Sequence, residues 1–153
     1  MDIANITVSE LLPHDPPMVL LDRALSYDET TLIAEVEIRP ESVLCADGGV
    51  PAWVGIEYMA QAVAAHAGFK ARLDGGLPSV GYLLGTRSYR SSLSSFPVGA
   101  TLRIHIRALF TETGLGAFAC RIDMDGEVAS ATINVYQPPG DSVDIARSGN
   151  ISE

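Results

Sequence analysis

The sequence predicts an α+β domain in which a curled antiparallel sheet wraps around one long helix. Strand-like segments lie on both sides of a single alanine-rich stretch, residues 51–73, whose apolar residues fall on nearly every helical face. Such a helix should be buried over most of its circumference. Four strand-like runs follow it, and Asp125-Gly126, a two-residue turn signal, separates the last two. A helix on one face of a curled antiparallel sheet satisfies this order.

The elements can be predicted in chain order. Ser9 and Glu10, before Leu11 and Leu12, indicate a short helix at Val8–Leu11. Residues 31–38 alternate apolar and polar side chains, as a half-buried strand requires. Pro51 stands at a favourable first helical position. The predicted strands are residues 18–25, 31–38, 80–89, 101–112, 117–124 and 128–136, and the long helix is residues 51–73.

A chain of 153 residues suits one domain with its own core. We expect that domain at residues 1–137, and a loose tail or arm at 138–153, where Pro, Gly, Ser and Asp predominate. One such domain leaves its helix partly uncovered and its sheet with an edge, which favours a dimer. No membrane span or signal peptide is expected.

The two cysteines, Cys45 and Cys120, match no zinc or CxxC spacing. They are interpreted as packing residues of a reduced, cytoplasmic protein that needs no metal and no cofactor.

The charge is divided unevenly along the chain. The net charge of −9 argues against a nucleic-acid partner. Residues 1–57 hold eleven carboxylates and two arginines, whereas residues 70–121 hold seven basic and two acidic side chains. The basic segment is interpreted either as a docking patch for an acidic partner such as an acyl carrier protein, or as scattered solvated strand positions.

Glu57 is the residue of the long helix that most strongly suggests chemistry. It is surrounded by apolar neighbours, where burial of a carboxylate is costly. Gln61 lies one turn further along the same face. A desolvated carboxylate can act as a general acid or base, and the alternative is a structural glutamate bonded to Gln61 or to backbone.

Weaker candidates lie at the loop before the helix and at the histidines. Asp47 is either a second acid–base group or an ordinary loop residue. The N–H groups near Ala52, at the helix start, are candidates to polarise a carbonyl oxygen. His14 is interpreted as structural or as approaching the active site. His66 points away from Glu57 and is interpreted as a core or surface residue, and His105 alternates within a strand and has no evident partner.

Several motifs together resemble a known family. Leu11-Leu12-Pro13-His14, the run from Met18 to Arg23, and the helix sequence from Pro51 to Ala62 with its Glu-x-Met-Ala-Gln motif are similar to the hot-dog 3-hydroxyacyl-acyl-carrier-protein dehydratases. Residues 81–85, 96–99 and 125–129 fall where that family has similar runs. Within the family, the resemblance points to the divergent predicted dehydratases of aryl polyene clusters.

The resemblance implies a hot-dog fold and a site shared between subunits. A loop histidine would remove the α-proton, and Glu57 of the opposite subunit would protonate the departing hydroxyl. The resemblance also places an oxyanion donor at the Ala52 N–H, a supporting amide at Gln61 and a substrate-facing strand end near Gly85. The loop of residues 43–49, however, contains no histidine.

Three functions follow. The first is dehydration of 3-hydroxyacyl thioesters of acyl carrier protein or CoA in fatty-acid or polyketide-type biosynthesis, with Asp47 as base or with a second hot-dog subunit supplying the histidine. The assembly would then be a homodimer or a hetero-oligomer. The second is acyl-thioester hydrolysis through Glu57. The third is a non-catalytic scaffold or acyl-carrier binding subunit.

Overall fold

The structure is a computed structural model that describes residues 6–12, 18–75 and 82–136. The elements in chain order are α1 (Val8–Leu11), β1 (Arg23–Tyr27), β2 (Thr31–Glu37), β3 (Gly49–Pro51), a 3-10 turn (Ala52–Val54), α2 (Gly55–Leu73), β4 (Tyr82–Ser91), β5 (Ser95–Pro97), β6 (Thr101–Glu112), β7 (Leu115–Asp123) and β8 (Glu127–Tyr136).

Six strands form one antiparallel sheet in the order β1-β2-β6-β7-β8-β4. The predicted alternation in β2 is confirmed, because Leu32, Ala34 and Val36 are buried while the residues between them are partly exposed. Since side chains alternate between faces along a strand, β2, β6, β7 and β8 each offer one apolar side to the core.

Helix α2 packs on the inner face of this sheet, as the sequence predicts. Met59, Ala62 and Phe69 are fully or almost fully buried there. Gly68 lets α1 approach closely, since a Cβ atom at this position would overlap the backbone of Leu11. Among the described residues, no helix combines the length and hydropathy needed to cross a bilayer.

The β7–β8 connection is the tight hairpin that Asp125-Gly126 predicts. Both residues have positive φ, 57° and 116°, but three residues, 124–126, connect the strands, and the Met124 N–H donates to the Gly126 carbonyl at 2.8 Å. The β6–β7 connection is a two-residue turn between the paired Glu112 and Leu115, with Thr113 at 48° and Gly114 at 86°, as in a type I′ turn.

Several boundaries and one small sheet differ from the prediction. The long helix α2 begins at Gly55 rather than at Pro51, because Pro51 ends β3 and Ala52–Val54 form a 3-10 turn. The first strand begins at Arg23 rather than at residue 18, because the backbone of Met18 and Leu20 bonds to the side chain of Gln61 and not to a strand. β3 and β5 form a separate two-stranded sheet that was not predicted, since three residues are too few to show alternation. β4 runs to Ser91, two residues beyond the prediction. The start of the strand predicted at residues 80–89 and the tail at 138–153 lie outside the described residues.

Candidate active site

The start of α2 is held in place from β4 and from the loop before β5. The Tyr89 hydroxyl donates a hydrogen bond of 2.5 Å to the Ala52 carbonyl. The Ala52 N–H donates to the Ser94 carbonyl at 3.0 Å. A Cβ atom at Gly55 would overlap the Tyr89 hydroxyl, so the glycine lets that side chain reach the helix start. Together these contacts fix the turn that leads to Glu57.

The hydrogen bond of Ala52 corrects the expectation that its N–H is available to a substrate oxygen. β3 and β5 pair up to Pro51 and Ser95, and the Ala52 N–H extends the contact to Ser94. The N–H groups of Trp53 and Val54 come next, in the 3-10 turn. No helical residue precedes them whose carbonyl could accept their hydrogen bonds. They are better placed than Ala52 as donors at the helix start.

Gln61 joins Glu57 to the segment before β1. Its side chain is fully buried. Its Nε2 group donates to the Met18 carbonyl at 2.7 Å and to Glu57 Oε2 at 3.1 Å, and its Oε1 accepts from the Leu20 N–H at 2.8 Å. Both amide protons are therefore used, which fixes the amide orientation and aims one donor at the carboxylate. Gln61 therefore orients Glu57, and it could donate to a substrate only by giving up one of these hydrogen bonds.

Glu57 lies on the part of α2 that the single chain leaves uncovered. Glu57, Ala60, Ala64 and Ala67 are half-buried and recur at helical spacing, whereas most other positions of α2 are buried. The sequence predicts a desolvated carboxylate, but one subunit does not bury it. Small side chains along this stripe would allow another surface to approach closely.

Asp47 lies at the tip of a tight turn. Asp47 and Gly48 have φ of 53° and 84°, and Ala46 and Gly49 exchange both backbone hydrogen bonds across them. The Asp47 side chain is exposed. The turn alone accounts for an aspartate at this position, because aspartate tolerates positive φ. This supports the alternative that Asp47 is an ordinary loop residue.

The remaining two predicted substrate contacts receive little support. Gly85 lies in β4 next to a register shift, and a Cβ atom there would meet nothing within 4 Å. Close packing within the chain is thus not the reason for this glycine. His14 lies outside the described residues.

The other histidines are structural in this chain. His66 is buried, and its Nε2 lies 3.0 Å from the Asp28 carbonyl. Burial lowers the pKa of His66. The expectation that His105 has no partner is wrong, since its Nε2 lies 3.1 Å from Asp123 Oδ2 on the neighbouring strand. Strand register, which alternation alone does not give, brings the two together.

Both cysteines pack against the core, as predicted. Cys120 is buried and Cys45 partly buried, and both are free thiols. Burial raises the pKa of Cys120 to about 12, which makes it an unreactive packing residue.

Sequence reasoning missed Tyr89. It lies 37 residues from the carbonyl that it binds, and a tyrosine in a strand carries no motif. The nearby glycine at position 55, in the first turn of a helix, was the only local indication of a close approach.

The chain is similar in sequence to known dehydratases. Residues 6–147 match a family model described as ApeP-like, ApeP dehydratase. Over 127 residues the chain is 31% identical to the 3-hydroxyacyl-[acyl-carrier-protein] dehydratase FabZ of Deinococcus radiodurans, covering 80% of this chain and 85% of the relative.

Solved structures show the same fold. The dehydratase heterocomplex ApeI:P from Xenorhabdus doucetiae matches with a TM-score of 0.83 at 28% identity, over 94% of this chain and 98% of that one. A hypothetical thioesterase with coenzyme A from Streptococcus pneumoniae matches with a TM-score of 0.59 at 13% identity, over 75% and 84% of the two chains, and shares the fold alone. The hot-dog fold expected from the resemblance is confirmed, and the chain belongs to the ApeP-like dehydratase family.

Proposed function

We propose that this chain supplies the general acid, Glu57, for dehydration of a 3-hydroxyacyl thioester, in a complex with a second hot-dog subunit that supplies the base. The observation that carries the proposal is the Gln61–Glu57 hydrogen bond on the half-buried stripe of α2. A buried amide holds the carboxyl group at a helix face that this chain leaves for another subunit.

The reaction needs a base and an acid in fixed positions. The base removes a proton from C2 of the acyl chain, the C3–O bond breaks, and a double bond forms between C2 and C3. The departing hydroxyl takes the proton of the Glu57 carboxyl group and leaves as water. Positioned proton transfer of this kind contributes roughly 10²–10⁴-fold to a rate. Exclusion of water generally favours the neutral form of a carboxyl group, which a general acid requires.

The partner subunit is inferred from what this chain lacks. Its loop of residues 43–49 has no histidine, and the exposed Asp47 is accounted for by the Ala46–Gly49 turn. The matching chain of known structure belongs to a dehydratase heterocomplex, ApeI:P, which supports an unlike partner over a second copy of this chain. The relative FabZ acts on acyl-carrier substrates by its name, so we infer a thioester of acyl carrier protein or CoA.

The test is reconstitution. The purified chain is assayed with 3-hydroxyacyl-CoA, by itself and mixed with a second hot-dog subunit that carries the loop histidine, and water loss is followed by the absorbance of the enoyl thioester. Activity is expected only in the mixture. Glu57→Gln should reduce it at least a hundredfold. Glu112→Gln, an equal change at an exposed site on β6, is the matched control and should leave it unchanged.

Two further outcomes separate the alternatives. Asp47→Asn is expected to have little effect, and a loss as large as that of Glu57→Gln would make Asp47 the base. Release of free thiol that Glu57→Gln abolishes would replace dehydration by thioester hydrolysis. An active Glu57→Gln complex would refute the role of Glu57 as acid and leave a scaffold role.

A further inference from the structure

Tyr89 reaches the start of α2 because β4 carries an extra residue at that point. The register of β4 against β8 shifts between residues 87 and 90, so Ser88 and Tyr89 together stand opposite one residue of β8. Ser88 has a φ of 55°, which a serine in a strand rarely adopts. A bulge of this kind re-aims the side chain beside it. Tyr89 is thereby turned to the inner face of the sheet, where its hydroxyl meets the Ala52 carbonyl.

The Ala52 carbonyl belongs to the same peptide group as the Trp53 N–H. It accepts two hydrogen bonds, one from the Tyr89 hydroxyl and one from the Gly55 N–H. The C=O and N–H bonds of a trans peptide point in opposite directions, so the Trp53 N–H points away from Tyr89. Among the residues that the structure describes, none accepts a hydrogen bond from the Trp53 N–H. The peptide group is therefore held from one side and presents a donor on the other.

The hydrogen bond from Tyr89 also strengthens the Trp53 N–H as a donor. Hydrogen bonds in a chain polarise one another, by about 10–30% for each bond. The two bonds to the Ala52 carbonyl draw electron density towards its oxygen and leave the N–H of the same peptide group more positive. Tyr89 thus sets both the direction and the strength of this donor.

The Trp53 N–H lies about one turn before Glu57. Four residues rise about 6 Å along a helix, and residues four apart share a face. A 3-hydroxyacyl thioester carries its carbonyl oxygen on C1 and its hydroxyl on C3. Removal of the C2 proton moves negative charge onto the carbonyl oxygen, while the hydroxyl takes the proton of Glu57. A donor and an acid at this separation serve the two ends of the reacting unit.

We propose that Tyr89 is a positioning residue for the dehydration, which orients and polarises the Trp53 N–H towards the thioester oxygen. The assignment rests on the proposed function, since this N–H and Glu57 act on one substrate. Donors that are already aimed at a developing charge stabilise it without any reorganisation during the reaction. Tyr89 acts through the Ala52 carbonyl and not on the substrate itself.

Steady-state kinetics of the complex with the histidine-bearing subunit test this role. Tyr89→Phe should lower kcat about tenfold with little change in KM, because a weakened donor costs less than the roughly 10²–10³-fold that follows removal of one. A loss in kcat alone marks an interaction made in the transition state. Tyr27→Phe is the matched control. Tyr27 is also partly buried and stacks on Phe69 near the other end of α2, so its kinetics should match the wild type.

Infrared difference spectroscopy measures the donor directly. Enoyl-CoA labelled with ¹³C at its thioester carbonyl is bound to the complex in the Glu57→Gln background, where the acid is absent. A hydrogen bond to the carbonyl oxygen lowers its stretching frequency. Addition of Tyr89→Phe should raise this frequency. Replacement of Tyr89 by 3-fluorotyrosine, which has nearly the same size and a more acidic hydroxyl, should lower it further, and it keeps the hydrogen bond that the fold uses.

The outcomes for Tyr89 and for Glu57 can be distinguished. An unchanged kcat in Tyr89→Phe, or a carbonyl frequency that neither change at position 89 moves, would overturn the role of Tyr89 and leave Glu57 as the acid. A fall in kcat without a frequency shift would make Tyr89 a structural residue only and would also overturn its positioning role. An active Glu57→Gln complex would refute the acid, while the same infrared comparison still decides whether Tyr89 controls the donor.

Discussion

The contact between Gly55 and Tyr89 can be tested as a thermodynamic pair. Gly55→Ala places a methyl group inside the van der Waals radius of the Tyr89 hydroxyl, 3.0 Å from Ile122 Cδ1 and 3.3 Å from Phe96 Cζ. Overpacking of this kind costs about 1–3 kcal/mol, while alanine recovers up to about 1 kcal/mol of helix propensity. We expect Gly55→Ala to lower the free energy of unfolding by about 1–2 kcal/mol.

Tyr89→Phe removes the hydroxyl and its hydrogen bond to Ala52, at about 1 kcal/mol. It also removes the worst overlap with an alanine at position 55. In the Tyr89→Phe background, Gly55→Ala should therefore cost about 1 kcal/mol less than in the wild type, a coupling typical of residues in contact.

Urea unfolding of the four proteins measures this coupling, with equal m-values required for the comparison. Gly85→Ala is the control, since no atom lies within 4 Å of its Cβ position, and its stability should match the wild type within about 0.5 kcal/mol. Strict additivity of the Gly55→Ala and Tyr89→Phe effects would refute the contact.

Three further predictions concern packing and titration. Gly68→Ala should destabilise by about 2 kcal/mol or more in urea unfolding, because its methyl group would overlap the rigid backbone of Leu11; a neutral effect would mean that α1 is not docked there. Iodoacetamide at pH 8, followed by mass spectrometry, should modify Cys45 in the native protein and both thiols after unfolding, since burial raises the pKa of Cys120 to about 12; rapid native labelling of Cys120 would contradict this. The pKa of His66 is lowered from 6.5 by burial, so below pH 6.5 the unfolded chain binds more protons than the folded one. The free energy of unfolding should therefore fall as the pH drops below 6.5, by at most about 1.4 kcal/mol per pH unit. His66→Gln should reduce this slope, and an unchanged slope would contradict the assignment to His66.

The long helix and most sheet strands were predictable because their patterns are local. The alternation in β2 and the buried circumference of α2 each follow from residues within one element. The conformation of residues 18–22 was not predictable. Their composition is typical of a strand, but their backbone bonds to the Gln61 side chain, 41 and 43 residues away. Strands β3 and β5 were not predicted for a different reason, because three residues are too few to show a periodic pattern.

The candidate site divides in the same way. Glu57 and Gln61 could be paired from the sequence because they lie one turn apart on one helix. The occupied N–H of Ala52 and the clamp from Tyr89 could not, because both depend on strands distant in the chain. The partner of His105 depended on the register of β6 against β7.

The three hydrogen bonds of Gln61 also bear on local unfolding. Residues 18–22 have little strand pairing of their own, and ordering a backbone costs about 1–2 kcal/mol per residue. The segment is held by Gln61, by burial of Leu21 and, at its end, by Asp22, whose N–H donates to the Glu35 carbonyl and whose carboxylate accepts from the Glu37 N–H. If this segment opens, Gln61 loses two of its three partners and is free to turn away from the carboxylate. Opening of residues 18–22 would thus release the amide that orients Glu57, and amide exchange at Leu20 would report how often this happens.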